Sequence, residues 1–534
     1  MLPQIIRKDQ AVSVAVLLIL CAVLFFFRLG ARPIWDIDEG KHAEISREMV
    51  LSGDWITPAF NGEAFYDKPA LYSWLGALAF LALGFTEFAA RLPSAILATG
   101  CVLITYLMGR RLADTSTGLL GGVILATALE FVVLGRTIVH DISLAFFVTL
   151  ALFLFYLGYE TPRHRKRNLL FSYAAMGLAT LAKGPIGLVL PGMVIGTFLI
   201  FEKKLNFIRQ MQLGWGSLIF LAVAAPWYIL ISLKNPGYAH YFFVYQNLGS
   251  FGSSDPRHPE PFYYYIPVFL GGFFPWSCFF PQAFIYAMRR RFEIPRGRTI
   301  FLILWVAVIF IFFSIAGSKL PTYILPVFPA AALLTALLWR QLLETAAPDI
   351  HRFFLYTFLP VAAIFLGALI YLWVSPLAEV EYETGISPMQ INLAALWMVG
   401  FILAAGILLA AKKDKATFIV LTVMIVTSLH LFLLVIVPRV NPYRTTRELA
   451  LSYDRLIPPH ERITFYKRIK ESALFYTGRR ARVLKNPDQL NDYLDSKDRV
   501  FCLITRDRFE ELKTPAYVVA SEGNKMLISN RSNN

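Results

Sequence analysis

The sequence predicts a polytopic α-helical membrane protein of about thirteen transmembrane helices, followed by a small C-terminal α/β domain. Hydrophobic residues make up 57% of the 534 residues and charged residues only 16%, which excludes disorder and an ordinary soluble enzyme. Apolar runs of about 17–25 residues, long enough to cross a bilayer as helix, recur through residues 1–437. Residues 438–534 differ in composition, because 31 of these 97 positions are charged. We therefore divide the chain into a membrane domain, 1–437, and a tail domain, 438–534.

Basic clusters between the apolar runs indicate the orientation of the chain. The formal net charge is +15, and Lys and Arg concentrated in short loops mark the cytoplasmic side. We therefore expect membrane lipids as partners and no nucleic acid. The first apolar run, 11–28, follows Arg7 and Lys8 and is interpreted as an uncleaved signal anchor.

Placing every basic cluster on the cytoplasmic side requires an even number of crossings between clusters. Three apolar runs, 11–28, 70–85 and 93–109, precede Arg110 and Arg111. The shortest, 70–85, follows a proline, so we predict that it lies in the outer interface and does not span. The other predicted spans are 115–138, 141–159, 169–182, 185–201, 212–232, 263–287, 298–315, 321–339, 353–374, 391–411 and 416–437. The N-terminus is then inside and the tail domain outside.

This topology places two long loops, 29–69 and 234–262, on the outer side. The first carries eight acidic residues and an amphipathic segment at 42–51, predicted to be a helix lying on the outer leaflet. Span interiors are nearly free of charge, with Glu130 as the main exception. Ionisable residues gathered at one membrane face favour chemistry at the lipid headgroups over an ion path.

Several motifs resemble one family. They are W-D-I-D-E-G-K-H (35–42), Y-D-K-P (66–69), E-F-A-A-R-L-P-S-A (87–95), G-R-T-I-V-H-D (135–141), L-A-K-G-P (181–185) and S-K-L-P-T-Y-I-L-P (318–326). They resemble the lipid-A aminoarabinose transferases, within the protein O-mannosyltransferase-like (GT-C) superfamily of membrane glycosyltransferases. The resemblance covers residues 1–340, and beyond them only the architecture is similar.

The resemblance implies an inverting glycosyltransferase of the bacterial inner membrane, with its active site and tail domain in the periplasm. It implies a polyprenyl (undecaprenyl) phosphate sugar as donor. The acceptor would be lipid A, lipopolysaccharide core or another envelope glycan. The family has thirteen spans, in agreement with the parity argument. We also expect a monomer.

Two acidic residues of the outer side are the candidate catalytic carboxylates. Asp38, followed by Glu39, lies where the GT-C pattern has its essential acid, and such a group can deprotonate or orient an acceptor. Asp141 follows His140 at the start of an outer-to-inner span, where the superfamily has a second acid. The simpler alternative for both is a helix N-cap. Glu39 and His140 are expected to support the site.

Lysines at the outer ends of the spans are candidates for binding the donor phosphate. They are Lys68, Lys183 and Lys319, each beside or near a proline, and their ammonium groups would stabilise the departing phosphate. Lys41 lies where the family usually has arginine, and it keeps the charge without the bidentate fork. The alternative is snorkelling to the interface, which is common for lysine at span ends.

The sequence gives little support for a bound divalent metal at this site. Asp67 lies where the aminoarabinose transferases have glutamate, and the family's Glu-His pair is replaced by Tyr245-Gln246-Asn247. The histidines of the 234–262 loop have no metal-ligand spacing, and the four cysteines form no C-x-x-C motif.

The tail domain has strand-like runs at 463–467, 500–504 and 517–520 and a helix-like stretch at 487–494. It carries no catalytic motif. A rival function is a transporter or flippase of lipid-linked sugars, which predicts inverted repeats and polar groups at mid-membrane. A non-catalytic scaffold is a third possibility, and the acidic outer loop argues against it.

Overall fold

The computed structural model describes residues 8–249, 258–345, 348–374, 385–458, 460–512 and 514–532. Part of the predicted 234–262 loop, residues 250–257, lies outside the described residues. The described residues form a helical domain followed by a small α/β domain, which agrees with the predicted fold class.

The helical domain contains eighteen α-helices within the described ranges, numbered in chain order. They are α1 Lys8–Cys21, α2 Asp38–Ser52, α3 Leu71–Leu83, α4 Glu87–Leu112, α5 Thr115–Ala126, α6 Leu129–Leu134, α7 His140–Glu160, α8 Arg165–Lys183, α9 Ile186–Phe201, α10 Leu213–Lys234, α11 Tyr265–Gly272, α12 Phe280–Met288, α13 Arg296–Ile315, α14 Phe328–Thr345, α15 Pro348–Val374, α16 Pro388–Ala410, α17 Asp414–Leu431 and α18 Val437–Arg444. Short π- or 3-10-helical segments join some of them, namely Ala22–Phe26, Pro162–His164, Leu205–Gln210, His240–Gly249, Trp276–Cys278, Pro321–Val327 and Phe432–Ile436.

Every predicted span coincides with helical segments, although two of them are interrupted, one between α5 and α6 and one between α11 and α12. Eight helical stretches of the described chain are long and apolar enough to cross a membrane, and four further apolar helices are shorter. One of the short ones is α3, whose 13 residues extend about 20 Å, less than the hydrocarbon core of a bilayer. That length is compatible with an interfacial position of 70–85, which stays a prediction, as does the count of thirteen spans.

Close approach of helices α4 and α5 builds the centre of the helical domain. A Cβ atom at Gly118 would lie 2.5 Å from the carbonyl oxygen of Tyr106, so only glycine permits this backbone contact. Buried tryptophans satisfy their indole N–H groups within the core: Trp276 donates to Thr127 and Trp305 to the carbonyl of Pro326. The membrane helices therefore form a tightly packed frame for the outer loops.

The outer loop 29–69 is ordered around α2. After α2 the chain forms a two-stranded hairpin of β1 Ala59–Phe60 and β2 Glu63–Ala64. The predicted helix at 42–51 is present as part of α2, which is longer. Helix α2 packs between α3 and the tail domain. Glu44, within this helix, is buried and ion-paired with Arg47.

The tail domain is a five-stranded mixed sheet with helices. Its strands are β3 Ile463–Tyr466, β4 Ala481–Leu484, β5 Phe501–Thr505, β6 Tyr517–Glu522 and β7 Lys525–Ser529, in the order β4-β3-β5-β7-β6. Its helices are α19 Arg447–Leu456, α20 Glu471–Thr477, α21 Pro487–Leu494 and α22 Arg506–Glu510. Strand β3 is parallel to β4 and β5, whereas β7 is antiparallel to β5 and β6. The helix that ends the membrane domain continues beyond residue 437 to Arg444.

Candidate active site

A cavity of about 620 Å³ opens where the outer loops meet the membrane helices. Its polar side carries Asp38, Asp67, Lys68 and Lys183. The remaining lining is largely apolar and includes Pro185, Ile186, Val189, Phe242, Phe243, Phe312, Phe313, Ala316, Leu320 and Tyr323, together with the polar residues Gln246, Asn247, His258 and Ser318. The site is therefore amphipathic, with charged groups at one end of an apolar cleft.

Asp38 is the first residue of α2 and lines the cavity with an exposed side chain. Its carboxylate makes no hydrogen bond or ion pair to any other described residue. A carboxylate at a helix N-terminus is stabilised by the partial positive charge of the free backbone amides. Asp38 is therefore an accessible carboxylate facing the cavity.

Glu39 has a different environment from its neighbour. It is 5% exposed and forms ion pairs with Arg32 at 2.7 Å and with Arg91 at 3.0 Å. Burial alone would raise the pKa of Glu39, but the two guanidinium groups overcome it and lower the pKa to about 2. Glu39 is thus a structural anion that does not reach the cavity.

Arg91 is fully buried and was not singled out from the sequence, although it lies in the E-F-A-A-R-L-P-S-A motif. Besides Glu39, its guanidinium donates to the carbonyl oxygens of Leu29, Arg32 and Pro33. It therefore fastens the end of the first membrane helix and the start of the outer loop to α4. An arginine within an apolar helix was the available signal.

Asp141, the second residue of α7, forms an ion pair with Lys183 at the end of α8. The side chains are 14% and 9% exposed, and the hydroxyl of Thr322 also hydrogen-bonds the carboxylate. The Lys183 ammonium lies 4.0 Å from the centroid of the Tyr323 ring, a cation–π distance. Asp141 thus holds the ammonium that lines the cavity, and it does not line the cavity itself.

Lys68 lies in the turn before α3 and completes the charged end of the cavity. Burial lowers the pKa of its ammonium, and the nearby Lys183 lowers that pKa further. Three carboxylates oppose this effect, those of Asp141, Asp67 and Asp38. Two ammonium groups and three carboxylates from distant segments are therefore close enough to interact.

Two of the predicted phosphate-binding lysines lie outside the cavity lining. Lys319 is 5% exposed, and its ammonium donates to the carbonyl oxygen of Glu260 at 2.8 Å. It lines a separate open groove beside Ala316. Lys41 lies over the Phe65 ring at 5.9 Å from the ring centroid.

Two buried histidines, His42 and His140, lie next to the charged end of the cavity. The ring of His140 lies 4.4 Å from the His42 ring and 4.9 Å from the Tyr72 ring, centroid to centroid. Burial lowers the pKa of His42 to about 3, and the ammonium groups of Lys68 and Lys41 contribute, so His42 is neutral at physiological pH. His42 was not identified from sequence, where it looked like one residue of an amphipathic helix.

The described residues do not fit a bound divalent metal. Among them, no group of three or more His, Cys, Asp or Glu side chains converges on one point. The carboxylate of Asp67 accepts a hydrogen bond from the Tyr241 hydroxyl instead. Tyr241 belongs to the π-helical segment His240–Gly249, so this bond joins the D-K-P turn to a wall of the cavity.

This architecture is the predicted GT-C fold. The crystal structure of ArnT from Cupriavidus metallidurans bound to undecaprenyl phosphate matches it with a TM-score of 0.81, covering 98% of each chain at 23% identity. The oligosaccharyltransferase AglB from Archaeoglobus fulgidus is more distant, with a TM-score of 0.52, 13% identity, and 93% of this chain and 69% of that chain covered. These likenesses confirm the predicted fold class.

Similar sequences agree with the structural neighbours. The family model of dolichyl-phosphate-mannose-protein mannosyltransferases matches residues 67–230. The undecaprenyl phosphate-alpha-4-amino-4-deoxy-L-arabinose arabinosyl transferase of Aeromonas salmonicida (strain A449) is 35% identical over 319 residues, covering 59% of this chain and 57% of the relative. Transferase 2 of the same name from Proteus mirabilis (strain HI4320) is 33% identical over 327 residues, covering 60% and 58%.

The chain thus spans less than two thirds of the length of these relatives. The resemblance predicted from the motifs is confirmed, and the chain is a multi-pass membrane protein.

Proposed function

We propose that the chain is a membrane glycosyltransferase that moves a sugar from polyprenyl phosphate, such as undecaprenyl phosphate, to an acceptor. The observation that carries this proposal is the cavity itself. It combines an accessible carboxylate, Asp38, and two ammonium groups, Lys68 and Lys183, with an apolar cleft. A prenyl chain, a phosphate and a sugar are the ligand parts that such a cavity complements.

The two ammonium groups would bind the donor phosphate. When the bond between the sugar C1 and the phosphate oxygen breaks, the electron pair stays on that oxygen. Positive groups already in place stabilise this developing charge without reorganisation. The Lys183 ammonium is ion-paired with Asp141, which supports a positioning role for Asp141 over direct contact with the acceptor.

Asp38 would act on the acceptor. An acceptor hydroxyl attacks C1 from the face opposite the phosphate, which inverts the configuration, and its proton passes to the Asp38 carboxylate. If the acceptor is itself a phosphate, no proton needs removal and Asp38 orients the nucleophile. In both cases one C–O bond forms as the other breaks.

The acceptor, location and assembly state belong to the same proposal. The relatives named above are arabinosyl transferases with undecaprenyl phosphate in their names, which supports undecaprenyl phosphate as the carrier of the donor sugar. As acceptor we propose lipid A, lipopolysaccharide core or another envelope glycan. We place the protein in the bacterial inner membrane as a monomer. Its cavity and tail domain face the periplasm, in accordance with the positive-inside rule.

The test uses purified protein in lipid with a labelled polyprenyl-phosphate sugar and mixed outer-membrane lipids. We expect release of prenyl phosphate together with a labelled glycolipid. Asp38→Asn should lower transfer by at least about 100-fold, within the range typical of removing a general base. Glu63→Gln, an exposed acid of the same loop, serves as the matched control and should retain full transfer.

Undiminished prenyl phosphate release by the Asp38→Asn variant would contradict the assigned site. Movement of the labelled sugar across the bilayer without bond cleavage would contradict the transferase and favour a flippase.

A further inference from the structure

The segment that leads into Asp38 is held by the far end of the chain. Residues 34–36 are neither helix nor strand, yet the backbone N–H of Ile34 donates to the Tyr476 hydroxyl at 2.8 Å. The indole N–H of Trp35 donates to Asn441 Oδ1 at 2.9 Å. More than 400 residues separate the partners in sequence.

Asp36 makes three hydrogen bonds to the far end of the chain. Its backbone N–H donates to the carbonyl of Arg444 at 2.7 Å. Its carboxylate accepts from the backbone N–H of Ser472 at 2.6 Å and from the Thr446 hydroxyl at 3.0 Å. Asp36 therefore caps α20 of the tail domain while it lies two residues before Asp38. Its role as a cap connects two domains.

Helices α2 and α20 also touch through their backbones. A Cβ atom at Gly40 would lie 2.6 Å from the backbone nitrogen of Ser472 and 2.8 Å from the carbonyl carbon of Glu471. Real Cβ atoms do not approach backbone atoms this closely, so a side chain here would push the helices apart. The first turn of α2, which carries Asp38, therefore packs directly against the start of α20.

The end of α18 and the short turn after it, residues 442–446, hold Asp36 and are themselves fixed by the tail sheet. The ammonium of Lys525, in strand β7, is 4% exposed and donates to the carbonyl oxygens of Pro442 and Thr445. A chain of contacts thus runs from the sheet through the turn to Asp36 and the start of α2.

We propose that the tail domain positions Asp38, with Asp36, Thr446 and Tyr476 as positioning residues. This inference rests on the proposed function, because it gives Asp38 the acceptor as its target. The Asp38 carboxylate makes no bond of its own to the described residues, so its location depends on its backbone. A displacement of about 1 Å in a reacting group can lower a rate by about 100-fold.

The test compares two variants of Thr446. Thr446→Val removes the hydroxyl that donates a hydrogen bond to Asp36, and Thr446→Ser keeps a hydroxyl there. A second pair compares Tyr476→Phe with Tyr493→Phe, whose hydroxyl bonds to Thr464 and Phe501 within the tail domain. Two quantities are measured on the full-length protein in lipid. They are hydrogen exchange in residues 38–52 and the kcat and KM for the polyprenyl-phosphate sugar.

We expect Thr446→Val and Tyr476→Phe to speed exchange in the first turns of α2 by about 10-fold, since weakened local structure opens more often. They should lower kcat by about 10- to 100-fold and change the donor KM by less than about 3-fold. Thr446→Ser and Tyr493→Phe should stay near wild type. A general loss of folding would instead lower the Tm of the tail domain and the yield together.

Unchanged exchange in both test variants, or unchanged kcat despite faster exchange, would overturn the proposal. If the wild-type protein transfers no sugar, the proposed function fails, and exchange alone then decides whether the tail domain holds α2. The two failures are therefore distinguishable.

Discussion

Asp38 and Glu39 are adjacent in sequence and differ completely in their surroundings. Successive residues of a helix point about 100° apart, so one carboxylate faces the cavity and the other faces the helical frame. Asp38 is exposed and free to meet a ligand, whereas Glu39 bridges the guanidinium groups of Arg32 and Arg91. The pair therefore places an accessible carboxylate next to a structural one.

Replacing Glu39 by Gln should destabilise the protein by about 3 kcal/mol at pH 7, because two buried guanidinium groups lose their anion. The folded-state pKa of Glu39, about 2, lies below its ordinary value of 4.5. Its contribution is therefore present above pH 4.5 and is lost as the pH falls toward 2. Thermal unfolding in lipid at pH 7 and pH 3 measures both effects. Glu63→Gln is the control, and an equal Tm for the two variants at pH 7 would contradict the prediction.

The rate of sugar transfer should begin to fall at a lower alkaline pH than it would with an ordinary lysine at position 68. Burial and the Lys183 ammonium lower the pKa of Lys68, so its charge is lost at a lower pH than that of an ordinary lysine. Phosphate binding that depends on this charge weakens as the pH rises through that lowered pKa. Lys68→Arg should move the alkaline limb of kcat/KM to higher pH, at the cost of some activity at neutral pH. An unmoved limb, with exposed Lys413→Arg as control, would show that another group titrates.

The Asp141–Lys183 pair predicts non-additive effects on stability. Asp141→Asn and Lys183→Met each leave a largely buried charge unpaired, which costs about 3–5 kcal/mol. The double variant removes both charges and should be more stable than at least one single variant. Transfer should be lost in all three, since each loses the aligned ammonium. A double-mutant cycle of Tm values measures this coupling, and strictly additive changes would mean that the pair is not coupled.

At the scale of secondary-structure elements, the wall His240–Gly249 is attached to the charged end of the cavity through Tyr241 and Asp67. Tyr241→Phe removes the hydroxyl and should loosen this wall, which contributes Phe242 and Phe243 to the apolar lining. We expect the donor KM to rise by about 3- to 10-fold, equivalent to about one hydrogen bond, with a smaller change in kcat. Tyr245→Phe, on the same segment but exposed, is the control. A fall in kcat at constant KM would place the Tyr241 hydroxyl in the chemical step instead.

Sequence patterns predicted these elements better than they predicted side-chain directions. The amphipathic run at 42–51 and the helix-like stretch at 487–494 correspond to α2 and α21, because apolar periodicity reflects burial. Lys319 was grouped with Lys68 by membrane depth, and depth does not reveal that its ammonium meets a carbonyl of the neighbouring loop. Strands β4 and β7 were not predicted, because each contains a basic residue, Arg482 or Lys525, that interrupts the apolar run. Arg91 and His42 gain their roles only from long-range packing.

At the scale of the whole molecule, docking of the tail domain restricts the topology. Asp36, before α2, and Ser472, in the tail domain, are hydrogen-bonded, so both lie on the same side of the membrane. The number of crossings between them must therefore be even. A single crossing before residue 36 then makes the total odd, as in the predicted thirteen. This parity argument is independent of the distribution of basic residues, and it supports an odd number of crossings with the tail domain on the same side as Asp38.

Cysteine labelling tests that arrangement directly. The four native cysteines are buried, so background reaction with a membrane-impermeant maleimide should be low. Glu63→Cys in the outer loop and Lys497→Cys in the tail domain place exposed thiols on the predicted outer side, and Lys413→Cys places one on the opposite side. In intact spheroplasts we expect the first two to react, and the third to react only after permeabilisation. Reaction of Glu63→Cys without reaction of Lys497→Cys would separate the tail domain from Asp38 and contradict both the topology and the positioning role of the tail.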